Sequence, residues 1–333
     1  MPHLILIPMQ IETCVQIAGL KSIRHRSGRR QQRGLALLTA ILYVTLASIL
    51  AVSLVSSQQL EIRRSGNMID RDRALVFAYG VEGWVKQILT RDDPNKDSLD
   101  DDWAMVLPPI PVDDGQVAGR IFDLQGRFNV NNLVNQGQVE PKQLELFQRL
   151  LEVLGLEPGI ASAVVDWIDP DQNTTFPDGA EDDVYTSLPQ PYRTSNQPLV
   201  SATELMLIKN ITAEVYAVLA PHVVALPEVT QINVNTATAP VIAAIAPGLA
   251  IEDGEALIES RTEQVFDSVA NFATELANVK QQQPDQTLLS VNSSYFLMDG
   301  NTRYGDRGKM HLYTVLARKG GKVSVVMRSF GVF

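Results

Sequence analysis

Acidic side chains are concentrated in one short stretch of the sequence, between Asp166 and Asp183. Ca²⁺ in proteins takes roughly six to eight oxygen ligands at about 2.3–2.6 Å, and a flexible loop can wrap carboxylates and carbonyls around it. The stretch is therefore predicted to form a calcium site. The candidate ligands are Asp166, Asp169, Asp171, Glu181, Asp182 and Asp183, of which Asp169, Asp171, Glu181 and Asp183 are favoured as direct ligands.

The acidic stretch does not follow the EF-hand pattern beyond its opening. Asp169, Asp171 and Asn173 match the first ligand positions of that loop. Thr174 then replaces the turn glycine, and Ala180 stands at the twelfth position, where a bidentate glutamate belongs. A solvated acidic loop without an ion therefore stays open as the alternative interpretation.

Catalytic arrangements are not recognisable elsewhere in the sequence. His222 and His311 lie far apart without metal-ligand spacing, and the single cysteine is Cys14. There is no P-loop, no Gly-x-Ser-x-Gly and no Gly-x-Gly-x-x-Gly sequence. Paired acids such as Asp182 and Asp183 could serve hydrolysis, but calcium ligation explains them better. The sequence therefore predicts a protein that is not an enzyme.

Charge is distributed unevenly along the chain, whose formal net charge is −10. Residues 1–34 carry six basic side chains and one acid, which leaves −15 for the remainder. A body with that charge repels phosphate backbones. We therefore expect no nucleic acid among the partners.

An uncharged apolar segment without proline or glycine runs from Leu35 to Val55. As a helix it would be roughly 31 Å long, enough to cross a hydrocarbon core of about 30 Å. The six basic residues precede it, whereas only Arg63, Arg64 and Arg71 follow closely. This bias predicts a single transmembrane helix over residues 35–56, with the N-terminus in the cytoplasm.

The body reads as an α+β domain that is interrupted by helices. Residues 56–90 have helical spacing, residues 117–130 suggest a hairpin at Gln125-Gly126, and residues 295–330 alternate around a Gly320-Gly321 turn. Between them, residues 131–285 are helical by pattern, with Pro141 at a helix start and a capping box at Ser201 and Glu204. We predict a discontinuous domain, 57–130 and 286–333, that consists of the end of a long helix and an antiparallel sheet.

A short internal sequence repeat suggests that the all-α insertion contains two helical subunits, at about 131–200 and 201–285. The sequences FNVNNL (128–133) and INVNTA (232–237) each precede a pair of helical segments. The second resembles a helix-hairpin-helix DNA-binding unit. Its turn, residues 247–250, lacks the second glycine, and acids follow where cations would be favoured. We keep this fold, expect Arg261 to pair with an acid, and retain a DNA-binding membrane protein as the alternative function.

The residues at the start of the apolar segment carry a further resemblance. Arg33-Gly34 followed directly by the apolar run resembles a prepilin leader that is cut after Gly34. Thr39 then occupies the fifth mature position, where most pilins and pseudopilins carry glutamate. With QRGLALLTA over residues 32–40, the chain resembles the minor pseudopilin K family of type II secretion systems from Gln32 to Phe333.

This resemblance implies a pilin-like fold and a role at the tip of a secretion pseudopilus. It implies removal of residues 1–34 by the prepilin peptidase, N-methylation of Leu35, and an inner-membrane anchor with the body in the periplasm. The implied partners are the minor pseudopilins I and J and the inner-membrane secretion platform. Calcium in the corresponding loop is also implied, because the DWID…GAEDD…Y pattern from Asp166 to Tyr185 is similar to that of the family.

Overall fold

The computed structural model describes residues 31–106, 108–305 and 307–331 of the chain. The predicted leader therefore falls outside the described residues, apart from its last four positions. The helices are α1 (Gln31–Arg91), α2 (Pro141–Val153), α3 (Ile160–Ile168), α4 (Asp182–Thr186), α5 (Ala213–Leu219), α6 (Ala239–Ala244), α7 (Ile251–Glu263) and α8 (Val269–Lys280). The strands are β1 (Ile110–Val112), β2 (Gly115–Asp123), β3 (Phe128–Asn129), β4 (Val134–Asn135), β5 (Gln138–Val139), β6 (Val223–Val224), β7 (Ile232–Asn233), β8 (Leu289–Ser290), β9 (Tyr295–Tyr304), β10 (Gly308–Lys319) and β11 (Lys322–Phe330).

Helix α1 begins before the predicted membrane segment and continues to Arg91, so Gly66, Gly80 and Gly83 do not end it. Within the described residues it is the one helix long and apolar enough to cross a membrane. The apolar side chains from Leu35 to Val55 are exposed in the protein, as lipid-facing positions must be. Two compact units divide at Arg64 and Ser65, and the folded body belongs to the second.

An antiparallel sheet with the order β1-β2-β9-β10-β11 forms the centre of that body. The final part of α1 covers one face, where Ala78, Val81, Val85 and Leu89 pack against Phe296 and its neighbours. Trp103 is buried there and meets the Phe296 ring edge-on, with the centroids 5.3 Å apart. The predicted α+β architecture is confirmed.

One predicted hairpin is present and the other is wrong. Strands β10 and β11 pair around Gly320-Gly321, which both have positive φ, as the sequence indicated. The chain does not form a hairpin at Gln125-Gly126, because β9 already pairs with β2 and β3 pairs in parallel with β6. Asp123 accepts a hydrogen bond from the backbone N–H of Gln125 at 2.8 Å, and this turn directs the chain out of the sheet.

The insertion extends from Leu124 to Ser294, since β2 ends at Asp123 and β9 begins at Tyr295. This is wider than the predicted 131–285. It contains two units that each open and close with a short parallel strand pair, β3 with β6 and β7 with β8. The boundary between the units therefore lies between Val224 and Ile232 and not at residue 200, because α5 precedes the closing strand of the first unit.

Two asparagines at equivalent positions of the short sequence repeat stabilise the two units in the same way. Asn131 and Asn235 are buried at equivalent positions of the repeated sequence. The Asn131 side chain donates to the carbonyls of Leu199 and Leu226 and accepts from the Leu199 N–H. The Asn235 side chain donates to the Phe266 carbonyl and accepts from the Phe266 N–H. Each amide therefore binds a distant part of its own unit.

We predict that Asn131→Ala and Asn235→Ala each lower the free energy of unfolding by about 1–3 kcal/mol, because the substitution leaves buried backbone groups unpaired. The matched control is Asn278→Ala on α8, since the Asn278 side chain is exposed and its bond among the described residues is to Glu275 on the same helix. That control should change stability by no more than about 0.5 kcal/mol. Urea unfolding followed by near-ultraviolet circular dichroism measures all three. Equal effects of the three substitutions would contradict the assignment.

Candidate metal centre

The acidic loop begins at the end of α3 and folds back onto that helix. Every residue of α3 is buried, including Asp166 and Trp167, because the helix runs through the core of the first unit. The Asp166 carboxylate accepts from the backbone N–H of Thr175 at 3.0 and 3.1 Å. A side chain at Gly179 would overlap that carboxylate, so glycine is needed for the loop to return here.

Three of the predicted ligands are brought together by this return. Asp169, Asp171 and Glu181 each present an oxygen, and these oxygens lie within 4.8 Å of one another. Asp169 Oδ1 and both Glu181 carboxylate oxygens are buried without a hydrogen-bond partner among the described residues. Unpaired buried carboxylates are unfavourable, and a hard divalent cation satisfies them directly. The donor set therefore fits calcium.

The pKa values of the loop carboxylates also favour a bound cation. Burial, together with Asp166, Asp169, Asp171 and Asp182, raises the pKa of Glu181 to about 8. Burial, with Asp171 and Asp166, raises the pKa of Asp169 to about 6. Within the part of the chain that the structure describes, no ion pair joins Asp169, Asp171 or Glu181 to a basic side chain. The cluster lacks a protein cation of its own.

The other candidate ligands have different partners. Asp166 lies beside the cluster but is occupied by the Thr175 N–H. Asp182 accepts from the N–H and hydroxyl of Thr194, and lies 3.7 Å from Arg193. Asp183 is exposed and accepts from the backbone of Val184. The sequence pattern could not separate these roles, because the partners of Asp182, which are Thr194 and Arg193, are more than ten residues away along the chain.

A second acidic cluster, Asp92, Asp97 and Asp101, was not expected from the sequence. Here a protein cation is present: Arg318 of β10 donates to Asp92 at 2.8 Å and to Asp97 at 2.5 Å. Asp101 accepts from the Ser98 backbone and from the Trp103 indole. Burial raises the pKa of Asp97 to about 7, although Arg318 opposes the shift. The cluster joins the end of α1 to the sheet. The sequence did not predict it, because Arg318 lies more than 200 residues after these acids.

The leader junction and the fifth mature position lie on α1. Gly34 and Leu35 are helical and exposed. The Thr39 hydroxyl donates to the carbonyl of Ala36 at 3.0 Å, so the side chain bonds to its own helix. Thr39 therefore offers a neighbouring subunit no negative charge.

The helix-hairpin-helix unit is formed by α6 and α7 around Gly248, which has φ of 74°. Asp253 accepts from the Ala250 N–H at 2.8 Å and pairs with Lys280, so a carboxylate occupies the helix N-terminus at which phosphate would bind. Arg261 is buried and donates to the carbonyls of Val234 and Ala237. The expectation that Arg261 pairs with an acid was therefore wrong. Its hydrogen bonds fix the backbone on either side of Asn235.

Comparison with known proteins agrees with this architecture. Two family models described as type II secretion system protein K match residues 126–228 and 232–292, which correspond to the two units of the insertion. The type II secretion system protein K of Pseudomonas aeruginosa is 35% identical, over 91% of this chain and 94% of its own length. That of Pectobacterium carotovorum is 34% identical, over 91% and 98%.

A solved structure shares the fold. A chain of the crystal structure of the GspK-GspI-GspJ complex from the enterotoxigenic Escherichia coli type 2 secretion system matches with a TM-score of 0.72 and 25% identity. The match covers 81% of this chain and all of that one. With the long apolar helix, the interrupted sheet and the paired helical units, these similarities show that the chain belongs to the type II secretion system protein K family, whose members are minor pseudopilins that take part in secretion.

Proposed function

We propose that this chain caps the tip of the type II secretion pseudopilus and so takes part in protein export across the outer membrane. The observation that carries the proposal is the uncharged Thr39, whose hydroxyl bonds to its own helix. In pilin-like filaments a glutamate at this position neutralises the terminal amine of a neighbouring subunit. A helix without that carboxylate is suited to the one position that has no subunit above it.

The size of the insertion supports the same position on steric grounds. The segment from Leu124 to Ser294 leaves and re-enters a single sheet between two adjacent strands, β2 and β9. Such a domain, repeated in every subunit of a helical shaft, would collide with its neighbours. At the tip it faces no further subunit. The role that we infer is structural and not catalytic.

The membrane anchor and the partners follow from α1. We infer cleavage between Gly34 and Leu35 by the prepilin peptidase, methylation of the Leu35 amine, and an inner-membrane helix with the body in the periplasm, beside the secretion platform. The structural relative was crystallised with GspI and GspJ. The corresponding minor pseudopilins I and J are therefore our proposed partners. Exposed apolar side chains on α1, among them Met68, Ile69 and Val76, suit contact with partner helices.

The predicted processing gives a direct test. Protein recovered from membranes of cells with an active prepilin peptidase should begin at Leu35 and be one methyl group heavier than the unmodified mature chain. Intact mass and N-terminal sequencing measure this. In the Gly34→Leu variant the leader should remain attached, because a side chain blocks access to the cleaved bond. An unprocessed wild-type chain would remove the basis of the proposed anchor.

Tip placement is tested by Thr39→Glu. The substitution supplies the missing carboxylate, so the variant should enter the shaft, and its amount relative to the major subunit in purified pseudopili should rise. Thr39→Gln is the matched control, because it has the same length and branching as glutamate at the same position but carries no charge. The uncharged Thr39→Gln variant should not change placement. An unchanged ratio for Thr39→Glu would count against the tip assignment.

We also propose that Asp169, Asp171 and Glu181 bind Ca²⁺, with Asp166 beside them. The ion would compensate the buried carboxylates and tie the loop before α4 to the end of α3. The buried unpartnered oxygens of Asp169 and Glu181 support this proposal. Its role would be to stabilise the first unit of the insertion.

The calcium proposal predicts both a metal effect and a pH effect. Ca²⁺ should raise the unfolding temperature of the wild type, and Glu181→Gln should weaken Ca²⁺ binding at least tenfold. Asp183→Asn should leave binding unchanged, because Asp183 is exposed and outside the cluster. Mg²⁺ should stabilise less, since it requires a tighter octahedral geometry. Calorimetric titration and thermal unfolding provide the measurements.

In the presence of chelator, stability should fall as the pH rises. The folded pKa of Glu181 is raised from 4.5 to about 8, so ionisation in this window is less favourable in the folded state than in the unfolded state. The unfolding temperature should therefore decrease between about pH 4.5 and 8, and Glu181→Gln should flatten that decrease. Ca²⁺ affinity should rise over the same window, because the ion binds the ionised carboxylate. A pH profile that Glu181→Gln does not alter would contradict the role of Glu181.

A further inference from the structure

A cavity of about 440 Å³ lies between the sheet and the first unit of the insertion. Apolar side chains of the sheet form one wall, among them Leu297 and Val315, which also belong to a buried cluster. The opposite wall comes from residues 200–203 and from the segment around Tyr216 and Val223. Its volume falls within the range of about 300–1,000 Å³ that is usual for sites that take small apolar groups.

Arg127 is the one charged side chain among the residues that line this cavity. Within the described part of the chain, its guanidinium forms no ion pair and no side-chain hydrogen bond. Burial lowers the pKa of Arg127, and the negative charge of Asp123 partly opposes this effect. Asp123 is already saturated, because it accepts from the side chains of Ser293, Thr236 and Asn233.

The other half-buried and buried arginines of the body are paired. Arg318 binds two aspartates, and Arg261 and Arg149 donate to backbone carbonyls. Arg127 differs from them, since burial desolvates its guanidinium while no described residue provides a side-chain acceptor for it. A guanidinium in this situation is expected to bind an anion, and its planar fork suits a carboxylate in particular.

Tyr216 lies close to this guanidinium. The positive charge of Arg127 opposes the effect of burial, which raises the pKa of Tyr216. Tyr216 also lines the cavity, so an aromatic ring that carries a hydroxyl group belongs to the same wall as the guanidinium. Burial lowers the pKa of His222, and the positive charge of Arg127 lowers it further, which disfavours a second cation beside the guanidinium.

We propose that this cavity binds the C-terminal residue of a polypeptide, with its apolar side chain between the sheet and the insertion and its α-carboxylate on Arg127. The terminal residue is favoured over an internal Asp or Glu because it attaches an apolar side chain directly to the carboxylate. This matches a wall of apolar groups with one cation at its edge. The inference is independent of tip placement and of the calcium loop.

The test uses the full chain in lipid nanodiscs and a fluorescein-labelled peptide, Gly-Ser-Gly-Leu, with either a free C-terminal carboxylate or a C-terminal amide. Fluorescence anisotropy should show the free acid binding roughly ten- to a hundredfold more tightly than the amide, the usual effect of a charge-assisted hydrogen bond. Arg127→Gln should abolish this preference. Arg127→Lys, which keeps the charge, should retain part of it.

A second variant tests the apolar half of the site without touching the charge. Ala202 lines the cavity and is half-buried, so Ala202→Phe should fill the space and weaken the acid and the amide equally. Thermal unfolding of each variant establishes that it is folded. Unchanged binding to Ala202→Phe would place the peptide elsewhere and overturn the proposal.

Three further results would overturn it. They are equal binding of acid and amide to the wild type, an acid preference that persists in Arg127→Gln, and no binding of either peptide up to about 1 mM, the limit of weak specific association. Sodium hexanoate serves as the competitor. Hexanoate also joins an apolar group to a carboxylate, so it should displace the free-acid peptide from the wild type, and this displacement would support the shared site.

Discussion

The structure depends on one buried carboxylate at the point where the insertion leaves and rejoins the sheet. Asp123 ends β2 and accepts hydrogen bonds from Asn233 in the second unit and from Ser293 just before β9. Because β2 and β9 are adjacent, their pairing alone would leave the long intervening segment attached only by its ends. The hydrogen bonds to Asp123 place polar groups from both sides in one fixed arrangement, and a buried network of this kind is stable only when every member has its partner.

The two acidic clusters show how a single neighbour decides what a group of carboxylates does. Asp92 and Asp97 each form an ion pair with Arg318, so a protein cation lies within this cluster and fastens the end of α1 to the sheet. Asp169, Asp171 and Glu181 have no such cation among the described residues, and buried oxygens of Asp169 and Glu181 stay unpaired there. The same residue types therefore form a structural ion-pair cluster in one place and a candidate calcium site in the other.

The hydrogen bonds of Asn131 and Asn235 explain how a short sequence repeat gives two structurally similar units. Asn131 and Asn235 each bind a backbone segment far away in the sequence, and each unit then closes with a parallel strand. The sequence predicted the existence of two units but misplaced their limits. The closing strands, Val223–Val224 and Leu289–Ser290, are only two residues long and have no pattern of their own. Their position depends on partners that only the folded chain provides.

The sequence alone determined the features that depend on local chemistry: the membrane segment, the long helix, the final hairpin, the capping box at Ser201 and the family resemblance. Periodicity, charge bias and turn glycines act within a few residues, so they can be read without a partner. Tertiary structure alone decided which acids converge, that Arg318 neutralises one cluster, that Arg261 binds carbonyls, and that β2 pairs with β9 and not with β3. Each of these depends on contacts between residues distant in sequence, which burial and hydrogen bonding select only once the chain has folded.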